Sequence, residues 1–183
     1  VSKKKFISEV LKSTGTIGAL SPSSSFLAKK MLEPIDFKKA KCLVEFGPGT
    51  GVFTKKILEK MNSDAILLTF EINPTFIEEL QHIKDERLVI INDSAEKIEV
   101  YLNKYNRQSA DYIISSLPFA MIPDDVVHNI LTNSDTALSE EGKYIQFQYS
   151  LNAKKKLESY FSKVEINFTF LNLPPAFVYV CEK

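Results

Sequence analysis

Val44-Glu45-Phe46-Gly47-Pro48-Gly49-Thr50-Gly51-Val52-Phe53-Thr54 decides how this chain is read. An apolar run, Lys41–Gly47, leads into it, and a segment of helical period, Val52–Met61, leads out. Three of the chain's six glycines fall in the turn between them. Glycines there let backbone approach a ligand closely at the carboxyl end of the first strand, where open α/β sheets bind ligands. The alternation continues outward. Apolar runs at Ile66–Ile72, Leu88–Asp93, Asp111–Leu117 and Lys143–Tyr149 are separated by Pro74–Ile83, Ala95–Tyr105 and Asp124–Leu138, where apolar residues recur at three and four. Asn73 and Pro123 mark helix starts. This spacing predicts an α/β fold, a mostly parallel sheet with helices on both faces. Val164–Asn172 and Ala176–Cys181 are joined only by a short Leu-Pro-Pro turn, which permits only antiparallel pairing. Five parallel strands followed by a C-terminal antiparallel hairpin are expected.

Upstream, Phe6/Val10 and Ile7/Leu11 form one i, i+4 stripe, and Leu27/Met31 and Ala28/Leu32 form a second, with Ser23 or Ser24 as the expected cap of the second helix. The 183 residues are expected to make one domain, an N-terminal helical arm over 1–40 and a core over 41–183. Formal charge is zero, with 23 basic and 23 acidic side chains, so an overall basic nucleic-acid binder is not indicated. The charge is nevertheless uneven. Residues 1–41 hold nine Lys against Glu9, Glu33 and Asp36, a net of +6 over an acidic remainder, so the arm is expected to meet something anionic. Cys42 and Cys181 sit in apolar stretches and read as reduced core residues. The longest apolar run, Ala176–Cys181, is six residues, far below the roughly 20 that span a bilayer.

Glu71 closes the second strand run 20 residues after Gly51, placed to hydrogen-bond a ribose diol. A dinucleotide fingerprint requires Gly at 52, where the chain has Val, and a carboxylate at 45 repels phosphate. Glu45 suits the ammonium of a methionine-like moiety instead. Gly-x-Gly-x-Gly behind an acid, with another acid ending the next strand, is the S-adenosylmethionine pattern. The candidate cofactor contacts are Glu45, Phe46, Gly47, Gly49 and Gly51, then Glu71 and Ile72, then Asp93, Ser94 and Ala95, and finally Ser115. Asp93 is placed either to accept from an adenine amino group or to cap the helix after it.

Ser116, Leu117, Pro118 and Phe119 end the fourth strand run, where the reactive methyl would lie. Pro118 has no N–H, and the preceding carbonyls are expected to be free to face a nucleophile. Phe119 is expected to stack on a planar substrate or pack around a cationic amine, while Leu-Pro alone also reads as a strand terminator. His82 and His128 have no paired ligand at metal spacing, and no Ser or Cys nucleophile has a His partner. Direct in-line methyl transfer fits that composition, with positioning and exclusion of water carrying most of the catalysis.

Taken in order, Thr16-Ile-Gly-Ala-Leu-Ser-Pro-Ser-Ser24, Val44–Thr54, Ser116-Leu-Pro118, Gln146-Phe-Gln-Tyr-Ser150 and Asn172-Leu-Pro-Pro-Ala-Phe-Val-Tyr179 resemble the bacterial phospholipid N-methyltransferase-like family. The resemblance spans nearly the whole chain. It implies a Rossmann-like class I methyltransferase fold, S-adenosylmethionine as cofactor, and methylation of the amine of phosphatidylethanolamine or a related aminolipid, with small amines as further candidates. It also implies a cytoplasmic protein whose basic N-terminal helix makes reversible contact with the inner membrane face. The family's relatives, the ribosomal RNA adenine dimethyltransferases, carry Asn at the position of Ser115 or Ser116 and an added C-terminal helical domain. Both are missing here, so ribosomal RNA adenine methylation is the lesser expectation. A module that binds S-adenosylmethionine without turnover is a third reading. A lipid ammonium must lose a proton before it attacks. Tyr149, ending the fifth strand run, is the nearest group able to hydrogen-bond the amine or phosphate, and water is the other candidate base.

Overall fold

β1 (Cys42–Phe46) is buried at all five positions, as expected of a strand in the middle of a sheet covered on both faces. It lies between β2 (Ile66–Phe70) and β4 (Ala110–Ser115), parallel to both. β3 (Leu88–Ile91) lies beyond β2. Beyond β4 come β5 (Leu138–Gln148), β7 (Ala176–Glu182) and β6 (Lys163–Thr169), giving the order β3-β2-β1-β4-β5-β7-β6. A computed structural model describes residues 22–170, 172 and 174–183. The stripe of Phe6, Ile7, Val10 and Leu11, its lysines, and the Thr16–Ser21 part of the opening motif lie outside the described residues.

The expected hairpin is present, and β7 runs antiparallel to both β5 and β6. Its second strand, not its first, borders the parallel sheet. A short helix, α6 (Lys154–Leu157), follows a 3-10 turn at Leu151–Ala153 and carries the chain back, so β6 runs parallel to β5 one strand away. The short return turn then drops β7 into the gap. Helix α6 has no signal in the sequence, because Lys-Lys-Lys-Leu carries no apolar period.

Side chains of β1 alternate between two cores. Cys42, Val44 and Phe46 join Leu68, Phe70 and Ile113 under α4 (Ile98–Lys104) and α5 (Asp124–Ala137). Leu43 joins Leu67, Ile114 and Ile145 under α1 (Pro22–Leu32) and α2 (Val52–Lys60). The expected stripe of Leu27, Ala28, Met31 and Leu32 is buried there. Helix α1 already includes Ser23 and Ser24, so neither is its cap. Asn73 caps α3 (Pro74–Leu80) as expected, accepting from Thr75 N–H at 3.1 Å. Arg87 closes the other end of α2, donating to the Leu58 and Met61 carbonyls at 2.9 and 2.8 Å, where a helix leaves its last carbonyls unpaired and favours a cation.

Boundaries shift at two elements. The helix expected over Ala95–Tyr105 opens as a 3-10 turn at Ala95–Lys97, capped by Ser94, before α4 begins. β5 begins at Leu138 rather than Lys143, because buried Leu138 already pairs with Ala110; residues 139–142 then bulge before regular pairing resumes at Lys143 opposite Tyr112. Both cysteines are free and buried. No helix among the described residues is long and apolar enough to cross a membrane.

Candidate active site

The connections leaving β1 and β4 depart in opposite directions along the sheet, and such a switch point opens a crevice at the carboxyl ends of the strands. Gly47, Gly49 and Gly51 all have positive φ, at 67°, 55° and 80°. This left-handed backbone turns the chain sharply from β1 into α2. A Cβ on Gly47 would sit 3.1 Å from Leu117 Cδ2, and one on Gly51 would sit 2.9 Å from Ile83 Cδ1. Gly49 differs, because a Cβ there would meet nothing within 4 Å. Helix α2 then begins without a side-chain cap, and the Thr54 N–H in its first turn acts on the Glu45 carboxylate.

Glu71 faces this turn from the end of β2. Its Oε1 accepts from Ile72 and Asn73 N–H, both at 2.8 Å, and among the described residues its Oε2 accepts only a long 3.3 Å bond from Gly49 N–H. Oε2 therefore keeps acceptor capacity on the glycine side. Burial raises the carboxyl above its ordinary range, opposed by those backbone donors.

Glu45 shares the α2 face of the sheet with Leu43, through the two-residue strand period. It stands in register with Thr69. Its Oε2 accepts from Thr54 Oγ1 at 2.7 Å and Thr69 Oγ1 at 3.2 Å, whereas its Oε1 is buried with no partner among the described residues. Burial pushes the Glu45 carboxyl up to about 7, against the pull of the two threonine hydroxyls. Neither threonine was singled out in the sequence. Thr69 was recoverable from parallel register and Thr54 from its place in the first turn of α2.

On the other face lies a narrow cavity of about 120 Å³ between Gly47, Glu71, Ile72, Asp93, Leu117 and Val126. Ser94 and Ala95 also line it. Its mostly apolar walls suit a flat ring. Asp93 is already engaged: Oδ1 accepts from Ser94 N–H at 2.8 Å, and Oδ2 accepts from Lys97 Nζ at 2.9 Å and Tyr101 OH at 3.2 Å. Lys97, four residues after Asp93, also lines the cavity and is not among the residues expected there. A wider open cleft of about 730 Å³ lies at the amino ends of the strands, by Asp36, Asp111 and Lys143, where no expected site residue falls.

The segment after β4 corrects three expectations. The Leu117 carbonyl is not free, because it accepts from Gln146 Nε2 at 3.1 Å and Gln148 Nε2 at 2.8 Å. Two amides saturate a carbonyl's two lone pairs. Phe119 is buried with Ile122 and Val126 in the α5-side core, so its ring is packing and not a platform for substrate. Ser115 is fully buried, its Oγ accepting from Leu117 N–H at 3.4 Å, so it shapes the turn and does not face the cavity. Ser116 and Pro118 remain half-exposed at the mouth, and Ser116 N–H is held by the Phe46 carbonyl at 2.9 Å. Tyr149 stands half-exposed just past β5, beside Phe147. Burial raises its hydroxyl pKa, countered by a hydrogen bond with Asn172.

The family model for ribosomal RNA adenine dimethylase matches residues 23–163. An ornithine lipid N-methyltransferase from Singulisphaera acidiphila is 25% identical over 179 residues, covering 96% of this chain and 93% of that protein. Among solved structures, precorrin-6y C5,15-methyltransferase from Geobacter metallireducens superposes with a TM-score of 0.69 at 12% identity, covering 86% of this chain and 88% of the other. Human methyltransferase-like protein 13 in complex with SAH superposes with a TM-score of 0.64 at 13% identity, covering 90% and 82%. S-adenosylmethionine is the cofactor of this family and fold, and the residues present fit it: Gly49 leaves open space where backbone must meet ligand, and Glu45 holds an orphaned buried oxygen suited to an ammonium. The chain belongs to the ribosomal RNA adenine dimethylase family and is an S-adenosylmethionine-dependent methyltransferase of the class I, Rossmann-like fold.

Proposed function

We propose that this methyltransferase acts on the primary amine of an aminolipid. The observation that carries the reading is the ornithine lipid N-methyltransferase relative, aligned over 96% of this chain and 93% of its own length. When bound, S-adenosylmethionine supplies an electrophilic methyl on a sulfonium, which an unprotonated amine takes in one in-line displacement.

In this reading Glu45 receives the methionyl ammonium, Gly47, Gly49 and Gly51 give the backbone its close approach beside Phe46, and Glu71 receives the ribose hydroxyls next to Ile72. Asp93, Ser94 and Ala95 border the adenine, with Lys97 sharing the Asp93 carboxylate. Ser116, Leu117 and Pro118 form the floor on which the amine is presented, held in shape by Ser115, Phe119, Gln146 and Gln148. Tyr149 hydrogen-bonds the amine or its neighbouring phosphate, and water takes the displaced proton. Reversible contact of the basic N-terminal arm with an anionic membrane completes the proposal.

Methylation of ribosomal RNA adenine is the second reading, favoured by the family description itself. One experiment separates the two. Purified chain is given methyl-labelled cofactor with aminolipid vesicles, and in parallel with ribosomal RNA. Label in the lipid extract alone supports the proposal. Label in RNA alone replaces it with the second reading, and cofactor binding with label in neither points to a module without turnover.

A further inference from the structure

The C-terminal hairpin carries an unusual surface. Between Glu165 and Glu182 the chain has sixteen residues without a charge. Its β7 part, Ala176–Cys181, is buried but for half-buried Phe177, whereas toward the tip Phe168 is 52% exposed and Phe170 73%, and Pro174 and Pro175 are exposed as well. Across the tip stand Tyr149 and Leu151, 45% and 50% exposed. These groups form one neighbourhood. Phe168 and Phe177 rings pack at 5.0 Å, Tyr149 hydrogen-bonds Asn172 in the hairpin turn, and Tyr179 OH donates to the Ser150 carbonyl at 3.0 Å.

The patch adjoins the proposed substrate floor. Gln148 donates to the Leu117 carbonyl and, in the sheet, stands opposite Phe177, which in turn stands opposite Phe168. A row of residues thus runs from the floor to the exposed edge, along the carboxyl ends of β5 and β6 and the amino end of β7 between them. Large apolar side chains left in water at such a place mark a docking surface.

Charge identifies the occupant. Between Glu165 and Glu182 the tip interleaves no cation with its aromatics, as a groove that tracks single-stranded nucleic acid would. After Leu151, Asn152 and Ala153 comes Lys154-Lys155-Lys156. Lys156 pairs with Asp124 and Lys154 approaches Glu158 at 3.7 Å, while Lys155 is exposed and makes no ion pair with any described residue. Aromatic and aliphatic groups with lysines set back from them match the acyl boundary and the anionic headgroup layer of a bilayer.

We infer that the β6–β7 tip, with Tyr149 and Leu151 beside it, is the surface on which this chain rests against an anionic lipid bilayer, holding the site mouth at headgroup level. The inference rests on the aminolipid reading above and adds to it the face that meets the membrane. It is independent of the basic arm.

The chain contains no Trp, so Phe170→Trp creates a single fluorescent reporter at the tip. Vesicles of phosphatidylethanolamine with phosphatidylglycerol should shift its emission to the blue, and nitroxide-labelled acyl chains should quench it. A Phe168→Ser/Phe170→Ser variant should keep its circular dichroism and its cofactor affinity and lose about tenfold or more in vesicle binding. Emission unmoved by vesicles overturns the inference. So does a blue shift that appears with protein concentration alone, which would mean that a second copy covers the patch, or one produced by ribosomal RNA instead. Methylation of detergent-dispersed aminolipid is measured alongside. Reporter insertion without such methylation keeps this surface and removes the aminolipid reading, and methylation without insertion does the reverse.

Discussion

The side-chain amide of Gln148 donates to the Leu117 carbonyl at 2.8 Å, tying the end of β5 to the turn that follows β4. Gln146, one strand period earlier, donates to the same oxygen at 3.1 Å and accepts from Tyr144 OH at 2.9 Å. The two contacts differ in burial, and that difference separates their consequences. Gln148 is half-buried and Gln146 is fully buried. Gln148→Ala should lower kcat about five- to tenfold, the loss of roughly one hydrogen bond's positioning, with cofactor affinity unchanged. Steady-state kinetics with a cofactor titration checks this. Gln146→Leu removes the acceptor of the Tyr144 hydroxyl, leaving it only Ser115 in the core, and should cost about 1–3 kcal/mol of stability, read as a lower denaturation midpoint.

The glycine turn offers a sharper contrast. Gly49→Ala puts a methyl into open space at φ 55°, so the free protein should lose only about 1–2 kcal/mol of stability to left-handed strain. Gly49→Val should remove detectable S-adenosylmethionine binding in a calorimetric titration. Gly51→Ala adds to the same strain a contact of 2.9 Å with Ile83 and 3.0 Å with Leu80. Its midpoint should fall further than that of Gly49→Ala, with a smaller effect on cofactor affinity.

Glu71→Ala removes the acceptor that faces Gly49 and the crevice. Cofactor affinity should weaken by about 1–3 kcal/mol, through loss of a charged hydrogen bond to the ribose. An affinity equal to wild type, in a variant with wild-type circular dichroism, would detach Glu71 from the ribose.

Glu45 makes the site pH-dependent. Its folded value of about 7 lies above its ordinary value of 4.5, so the folded chain binds more protons than the unfolded one between them. The Glu45 contribution to stability without cofactor is therefore fully present below about 4.5 and is lost as pH rises through 7. Cofactor binding should show the opposite slope. An ammonium beside Glu45 favours the ionised carboxylate, so affinity should rise from pH 5 to about 7 and then level off, with proton release on binding below that point. Titrations in buffers of different ionisation enthalpy measure the release. Glu45→Gln should flatten both profiles.

Much of the architecture was readable because its signals are local. Each strand run of the parallel sheet is a short apolar segment, Asn73 caps α3 through its own side chain, and the three glycines sit where the backbone needs positive φ. Elements that depend on distant partners were not readable. Leu138 belongs to β5 only because Ala110 stands across from it, and the four-residue α6 exists to return the chain toward β6. The site divides in the same way. Glu71 and Gly49 meet as the strand-end pattern implies. The saturation of the Leu117 carbonyl depends on side chains 29 and 31 residues away, and the inward turn of Phe119 depends on the core beneath α5. Nothing in Ser-Leu-Pro-Phe itself announces either one.

The most direct measurement is fragmentation mass spectrometry of the lipid after incubation of purified chain with S-adenosylmethionine and vesicles containing phosphatidylethanolamine or ornithine lipid. The account predicts one or more added methyl groups on the headgroup nitrogen, absent when Gly49→Val replaces the wild type. Lipid nitrogens left unmethylated by wild-type protein that binds the cofactor, with methyl groups found on ribosomal adenine instead, would contradict it.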